Sequence, residues 1–337
     1  MTAGATMAES HIQMPEARRV LEEGLCAHFS RDVRIANIER KALEVSSHHT
    51  DRLRVILESG ERLRVIFKRL QPGANLYDGN EREVLIYRRL LAGQLFGAPA
   101  LYASLYDTTR GLYWLFLEDV GDMTLEHCDI DEWLPAFRWL ARMHSAYWGR
   151  EEELRALHCL AEHDGQYYAM IAQRSRRNLE IAGEPGLLAQ FDALIAPYTL
   201  LVEQLCGQAR TLVHGDIFPK NIAVQERWTV RPLDWESAGI GLAAWDLARL
   251  LDGWGKPRQG FIDAYLTEAE MHGVEIDRPS FLLTLASCEV VNVLWHLQWS
   301  ESACRDARFV RGRLHALERA WSDIGEGSLS ATPGVGA

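Results

Sequence analysis

Basic and apolar residues alternate through "RLRVILES" (52–59) and again through "ERLRVIFKRL" (61–70), with Ser59 and Gly60 between them. Period-two alternation on both sides of a glycine predicts a strand, a tight turn and a second strand. The period then changes. In "NEREVLIYRRLLAG" (80–93), Val84, Leu85, Tyr87, Leu90 and Leu91 fall at helical spacing and the run stops at Gly93. Two more apolar runs, "PALYASLY" (99–106) and "GLYWLFLEDV" (111–120), complete a strand-rich first part with one internal helix. After "EDVGD" (118–122) the pattern becomes helical through 131–148, 186–207, 241–254 and 281–300. One short hairpin interrupts it, "NIAV" and "TVRPLDW" around "QER". The chain therefore reads as α+β, with a sheet-rich part over 13–117, a connection at 118–122 and a helical part over 123–324. The ends, 1–12 and 325–337, are small, polar and glycine-rich, which predicts flexible tails.

Composition narrows the classes. With 337 residues, 47% hydrophobic and 25% charged, the chain suits a globular protein with room for two lobes. Its six cysteines have neither CxxC pairs nor histidines at ligand spacing, which argues against a zinc site or a disulfide framework and for reduced thiols in the cytoplasm. The start lacks a continuous apolar stretch. The most apolar segment, 281–300, carries Glu289, Asn292, His296 and Gln298, and so predicts a buried helix rather than a membrane span. Charge is uneven: residues 1–118 carry 16 basic and 15 acidic side chains, leaving 20 and 32 of the totals of 36 and 47 for the rest. An acidic second part disfavours nucleic acid as a partner and permits a cationic small substrate.

The candidate chemistry centres on "LVHGDIFPKNIAV" (212–224). Asp216 and Asn221 sit on a loop entering a strand, and Asp234 ends the returning strand 18 residues after Asp216. Phosphoryl transfer needs such a set: a carboxylate to accept the proton of an attacking hydroxyl, and an Asn with another Asp to hold Mg²⁺ against nucleotide phosphates.

"HGDIFPKN" and "LDWESAGIGLAAWDLA" closely resemble the catalytic and metal-binding motifs of the aminoglycoside phosphotransferase and choline kinase family. The resemblance covers about residues 20–320 and implies a bilobal protein-kinase-like fold, with a small antiparallel-sheet N-lobe and a larger, mainly helical C-lobe. It makes Asp216 the base or hydroxyl-orienting residue and Asn221 and Asp234 the Mg²⁺ ligands. It also makes Lys68 the contact to the phosphates of ATP or GTP, and Glu83 the partner of Lys68. Glu83 is preferred over Glu81 because Tyr87 lies one turn further on. "FLEDVGD" resembles the hinge that holds the base through backbone groups of Glu118, Asp119, Val120 and Gly121. "LARMHSAYW" (140–148) is similar to the helix upstream of the catalytic loop. His214 and Asp246 then become scaffold residues.

One region departs from the pattern. "LEVSSHHTDRLRVIL" (43–57) has no glycine where a glycine-rich phosphate loop is expected. Ser46, Ser47 and Thr50 could supply donors there and His48 or His49 could approach the phosphates, or the segment is an exposed polar turn. The Trp residues at 133, 139, 148, 254, 295 and 299 read as core, with two or three available as an aromatic wall for the acceptor. A protein kinase fits less well, because only 11 residues separate Asp234 from Asp246 and Gly215 stands where protein kinases usually carry Arg. A pseudokinase module is disfavoured because the whole polar set is present, and a hydrolase using His214 and Asp216 lacks further ligands nearby. The acceptors left open are aminoglycosides, nucleoside or other antibiotics, choline-like amines and sugars.

Overall fold

The computed structural model describes residues 14–43, 48–71, 81–93, 95–226, 229–299 and 301–330. The chain divides into two compact units, one of residues 1–123 with 223–236 and one of 124–222 with 237–337.

In the first unit, helix α1 (Met14–Phe29) precedes a five-stranded antiparallel sheet of β1 (Ile35–Leu43), β2 (His49–Leu57), β3 (Arg62–Leu70), β4 (Leu101–Asp107) and β5 (Leu112–Glu118), in spatial order β1-β2-β3-β5-β4. The predicted alternation holds. Leu53, Val55 and Leu57 of β2 and Val65 and Phe67 of β3 face the core while Arg54 and Arg64 face out. Gly60 makes the turn between these strands at φ +85°, a left-handed conformation that costs glycine little.

Helix α1 is a second helix, which the sequence pattern did not reveal because its apolar stripe of Ala17, Val20, Leu21 and Leu25 is thinly spread among charged residues. That stripe closes the core over the sheet with Trp114 and Phe116. Gly24 permits the close approach, since a Cβ there would lie 2.3 Å from the Tyr102 carbonyl oxygen on β4. Helix α2 (Arg82–Arg89) lies between β3 and β4 in the chain.

The hairpin of β8 (Ile222–Gln225) and β9 (Thr229–Pro232) leads into the last segment of this unit. The partition expected at 118–122 assigned 223–236 to the helical part. The hydrogen bonds explain the difference: Val224 N–H donates to Met123 O (2.9 Å), Gln225 Nε2 to Val120 O (3.2 Å), and Arg231 Nε to Gly97 O (2.7 Å).

The second unit is mainly helical: α3 (Leu134–Ala146), α4 (Glu151–Arg155), α5 (Gly165–Ala182), α6 (Pro185–Leu194), α7 (Tyr198–Cys206), α8 (Ala243–Leu250), α9 (Arg258–Met271), α10 (Arg278–Trp299), α11 (Glu301–Cys304) and α12 (Ala307–Ser330). The apolar run at 186–207 breaks at Pro197 into two helices bent by 44°. Helix α10 is apolar and long enough to cross a membrane, yet its apolar window is 67% buried inside the unit, with Val290, Val291, Leu294 and Leu297 in the core. Helix α12 continues to Ser330, so 325–330 are helical rather than part of a tail. The segments 1–12 and 331–337 lie outside the described residues. The expectation of a single hairpin also needs correction: β6 (Ala161–Glu162), β7 (Thr211–Val213) and β10 (Gly239–Gly241) form a small three-stranded sheet in the order β6-β10-β7. This sheet anchors both ends of the segment that carries the candidate chemistry.

Candidate active site

In the first unit, strand alternation turns Phe67 into the core and Lys68 to the opposite face. Glu83 sits in the first turn of α2. The Lys68 ammonium donates to Glu83 Oε2 at 2.6 Å and to Asp234 Oδ1 at 2.6 Å. Glu83 Oε1 accepts the main-chain N–H of Trp235 at 3.1 Å, so one buried carboxylate holds both the lysine and the segment bearing Asp234. Burial alone would depress the Lys68 pKa, but the charges of Asp234 and Glu83 outweigh it and raise it well above the ordinary lysine value. Asp234 adopts φ +63°, which a short polar side chain tolerates.

Glu236 follows, and its Oε2 lies 2.6 Å from His48 Nε2. Glu83, Asp234 and Glu236 each offer an oxygen within 4.8 Å of the others. Carboxylate and amide oxygens are the donors that Mg²⁺ prefers, so Asp234 with Glu236 beside it is chemically suitable within the first unit, and the amide of Asn221 is a suitable donor in the second.

The phosphate-covering candidates fare differently. Thr50 is not in a loop: it lies in β2 opposite Lys68, and its hydroxyl donates to His48 O at 3.2 Å. His48 is buried against Glu236. Ser47 lies outside the described residues. At the expected hinge, Glu118 N–H donates to Ala100 O (2.8 Å), Asp119 N–H to Arg64 O (3.3 Å), and Val120 O accepts from Gln225 (3.2 Å). These three backbone groups are therefore already engaged by the chain. The Asp119 carboxylate pairs with Arg52 at 2.9 Å, and that of Glu118 with Arg231.

In the second unit, the fully buried β7 delivers His214, Gly215 and Asp216. Asp246, in the first turn of α8, accepts the main-chain N–H groups of His214 (2.7 Å) and Gly215 (2.9 Å). It also meets His144 Nε2 at 3.3 Å, and His144 Nδ1 lies 2.8 Å from the Tyr265 hydroxyl. Burial would raise the Asp246 pKa, but the bond to His144 and the charges of His144 and His214 hold it below the usual carboxylate range. Gly215 has φ +79°, and a Cβ there would lie 2.1 Å from Ser237 O, so no other residue fits.

Asn221 closes the loop: its Nδ2 donates to Asp216 O (2.9 Å) and Asp216 Oδ2 (3.0 Å). Asp216 Oδ1 accepts from Arg249. Arg249 had not been singled out from the sequence, because an arginine after "WDLA" reads as the solvated edge of a helix. The one available signal was that nearly every neighbour in "GLAAWDLARLL" is apolar.

Next in the chain, Asp252 and Trp254 line a cavity of about 700 Å³ together with Arg258, Glu289, Asn292 and Arg313. Its walls carry four arginines (258, 308, 313, 319) against three acidic residues (252, 289, 323), so the unit's acidity is not concentrated there. Of the candidate wall, Trp133, Trp139 and Trp295 are core, while Trp299 is half-exposed and stacks on Trp295 at 4.9 Å.

A sheet-rich unit with a Lys–Glu–Asp cluster and a helical unit with an HGD…N loop define the class of small-molecule kinases that phosphorylate a hydroxyl. The profile of the phosphotransferase enzyme family (APH) matches residues 42–281, and the chain belongs to that family. No curated protein sequence matches closely enough to count as a relative. Among solved structures, a microcompartment-associated aminopropanol kinase is similar over 88% of this chain and 93% of its own, at 15% identity and a TM-score of 0.60. The GDP complex of an aminoglycoside 2'-phosphotransferase is similar over 90% and 98%, at 14% identity and 0.58. The choline kinase of Streptococcus pneumoniae is similar over 92% and 99%, at 14% and 0.52. At these identities the likeness is one of fold, the bilobal kinase-like α+β fold.

Proposed function

We propose that the protein transfers the γ-phosphate of ATP or GTP to a hydroxyl of an antibiotic of the aminoglycoside or nucleoside type, or of a related metabolite. The observation that carries this reading is the Asp216 to Asn221 loop, whose proton acceptor and candidate metal ligand are bonded to each other and braced by Asp246. The acceptor hydroxyl donates to the Asp216 carboxylate. Its oxygen then bonds to the γ-phosphorus, the bond to the bridging oxygen breaks, and ADP or GDP leaves. Lys68, held by Glu83, contacts the phosphates, and backbone groups of 118–121 other than the engaged Glu118 and Asp119 N–H and Val120 carbonyl hold the base. Asp234 and Asn221 are the residues that would hold Mg²⁺, which would supply charge neutralisation at the transferred phosphate.

Inactivation of an antibiotic by phosphorylation would confer resistance, and the six free thiols suit a reducing cytoplasm. The test is incubation of purified protein with antibiotics, amino alcohols and sugars plus ATP or GTP and Mg²⁺. The expected result is one acceptor gaining the mass of a phosphoryl group. Nucleotide turnover with no acceptor modified across the panel would count against the antibiotic and metabolite reading.

A further inference from the structure

Asp216 has a partner that its proposed role does not call for. Every residue of α8 is buried, so Arg249 on this helix cannot leave its charge in water. An unpaired charge in such a place would be strongly destabilising. Two features compensate it. The guanidinium donates to Asp216 Oδ1, and it lies 3.9 Å from the ring centroid of Trp295, 4.2 Å from Phe218 and 5.0 Å from Trp245. Arginine over aromatic faces is a favourable pairing that strengthens on desolvation. Among the described residues, Nε and Nη1 of Arg249 meet no hydrogen-bond acceptor. The rings therefore fix where the cation sits, and its directional bond goes to the carboxylate.

The arrangement closes on itself. Phe218 belongs to the loop that carries Asp216, and Trp295 is backed by Trp299. With Oδ1 taken by Arg249 and Oδ2 meeting Asn221, both rotation and tilt of the Asp216 carboxylate are defined.

We infer that Arg249, held in the aromatic box of Phe218, Trp245 and Trp295, is the positioning residue for Asp216 in the reaction proposed above, on which this inference rests. The box sets the guanidinium, and the guanidinium sets the carboxylate that receives the hydroxyl proton. Lysine cannot replace it, because an ammonium lacks the planar fork that stacks between rings while donating in plane.

The experiment measures Mg²⁺-dependent hydrolysis of ATP and GTP, with water as the probe acceptor, in the unaltered protein and in R249M, R249K, D216N and the double variant D216N/R249M, alongside thermal unfolding. R249M should lower kcat by roughly 10-fold or more while the nucleotide KM stays within about 2-fold, since misplacement of a reacting group acts on the chemical step. In the D216N background the same change should alter kcat by less than about 2-fold, because residues acting as a unit are non-additive. R249K should not rescue. If R249M does not fold, F218L, which loosens the box and keeps the charge, should show the same kcat loss and the same non-additivity. Equal loss in both backgrounds, or a loss that tracks only the unfolding temperature, overturns the inference and makes Arg249 a packing residue. Absence of Mg²⁺-dependent turnover in the unaltered protein, with nucleotide bound, overturns the phosphotransferase reading and this inference with it.

Discussion

The Lys68 ammonium lies 2.6 Å from Asp234 Oδ1, and Glu83 bonds the same nitrogen at the same distance. The lysine thus neutralises two carboxylates at once, one of them fully buried. Lys68→Met would leave Glu83 an uncompensated buried charge. Stability should fall by about 3 kcal/mol, the usual cost of breaking a buried pair from one side, and nucleotide should bind roughly 10-fold or more weakly. Denaturant unfolding and nucleotide titration read the two effects separately, and unchanged stability would show that Glu83 is neutral without its partner.

Asp234 and Glu236 compete for the role of principal metal ligand in the first unit. Asp234 shares its oxygen with an ammonium, whereas Glu236 is tied to His48 at 2.6 Å. Asp234→Ala should abolish the tightening of nucleotide binding by Mg²⁺, and Glu236→Gln should reduce it by about 10-fold or less. Calorimetric titration with and without Mg²⁺ decides, and the reverse ranking would make Glu236 the ligand.

Asp246 links pH to stability with a definite sign. Its folded-state pKa is lowered, so its contribution is fully present above the ordinary aspartate value of about 4 and is lost as pH falls through the folded value. The unfolding temperature should therefore drop between about pH 5 and pH 3 more steeply in the unaltered protein than in Asp246→Asn. That variant should already be less stable by about 3 kcal/mol at neutral pH. Parallel pH profiles would remove Asp246 from the acid transition.

Acceptor charge is the remaining test. The second part of the chain is acidic overall, which by itself favours a cationic acceptor and a steep salt dependence. Locally, however, Arg249 neutralises Asp216, and the nearby cavity wall has more arginines than carboxylates. Screening should then change kcat/KM of an aminoglycoside or choline-like acceptor by less than about 3-fold between roughly 20 and 150 mM salt. A fall of 10-fold or more would show that the long-range field outweighs these local groups.

What the sequence disclosed follows how local each relationship is. Asp216, Asn221 and Asp246 stand within 31 residues of one another, in a segment whose polar positions leave little freedom of spacing. Lys68 and Glu83 were legible because a strand followed by a helix brings them together. His48 and Glu236 lie 188 positions apart, and nothing local marks them as partners. Thr50 falls in a strand rather than a loop because pairing with β3 already begins at His49, a register that its polar neighbours do not disclose. Arg249 stayed hidden for a different reason. A charge is normally read as solvent-facing, and only tertiary packing brings three rings around it.

The path of the backbone bears on how this protein is made. Because 223–236 belong with 1–123, a chain emerging from the ribosome has finished the first sheet long before the hairpin that completes its unit exists. Until Arg231 appears, the Gly97 carbonyl and the Glu118 carboxylate lack a partner they have in the finished protein, and the Met123 carbonyl waits for Val224. Neither unit can be cut out as one uninterrupted fragment. A stop codon anywhere before residue 237 leaves a nascent first unit with loose ends, a natural substrate for chaperones and proteases.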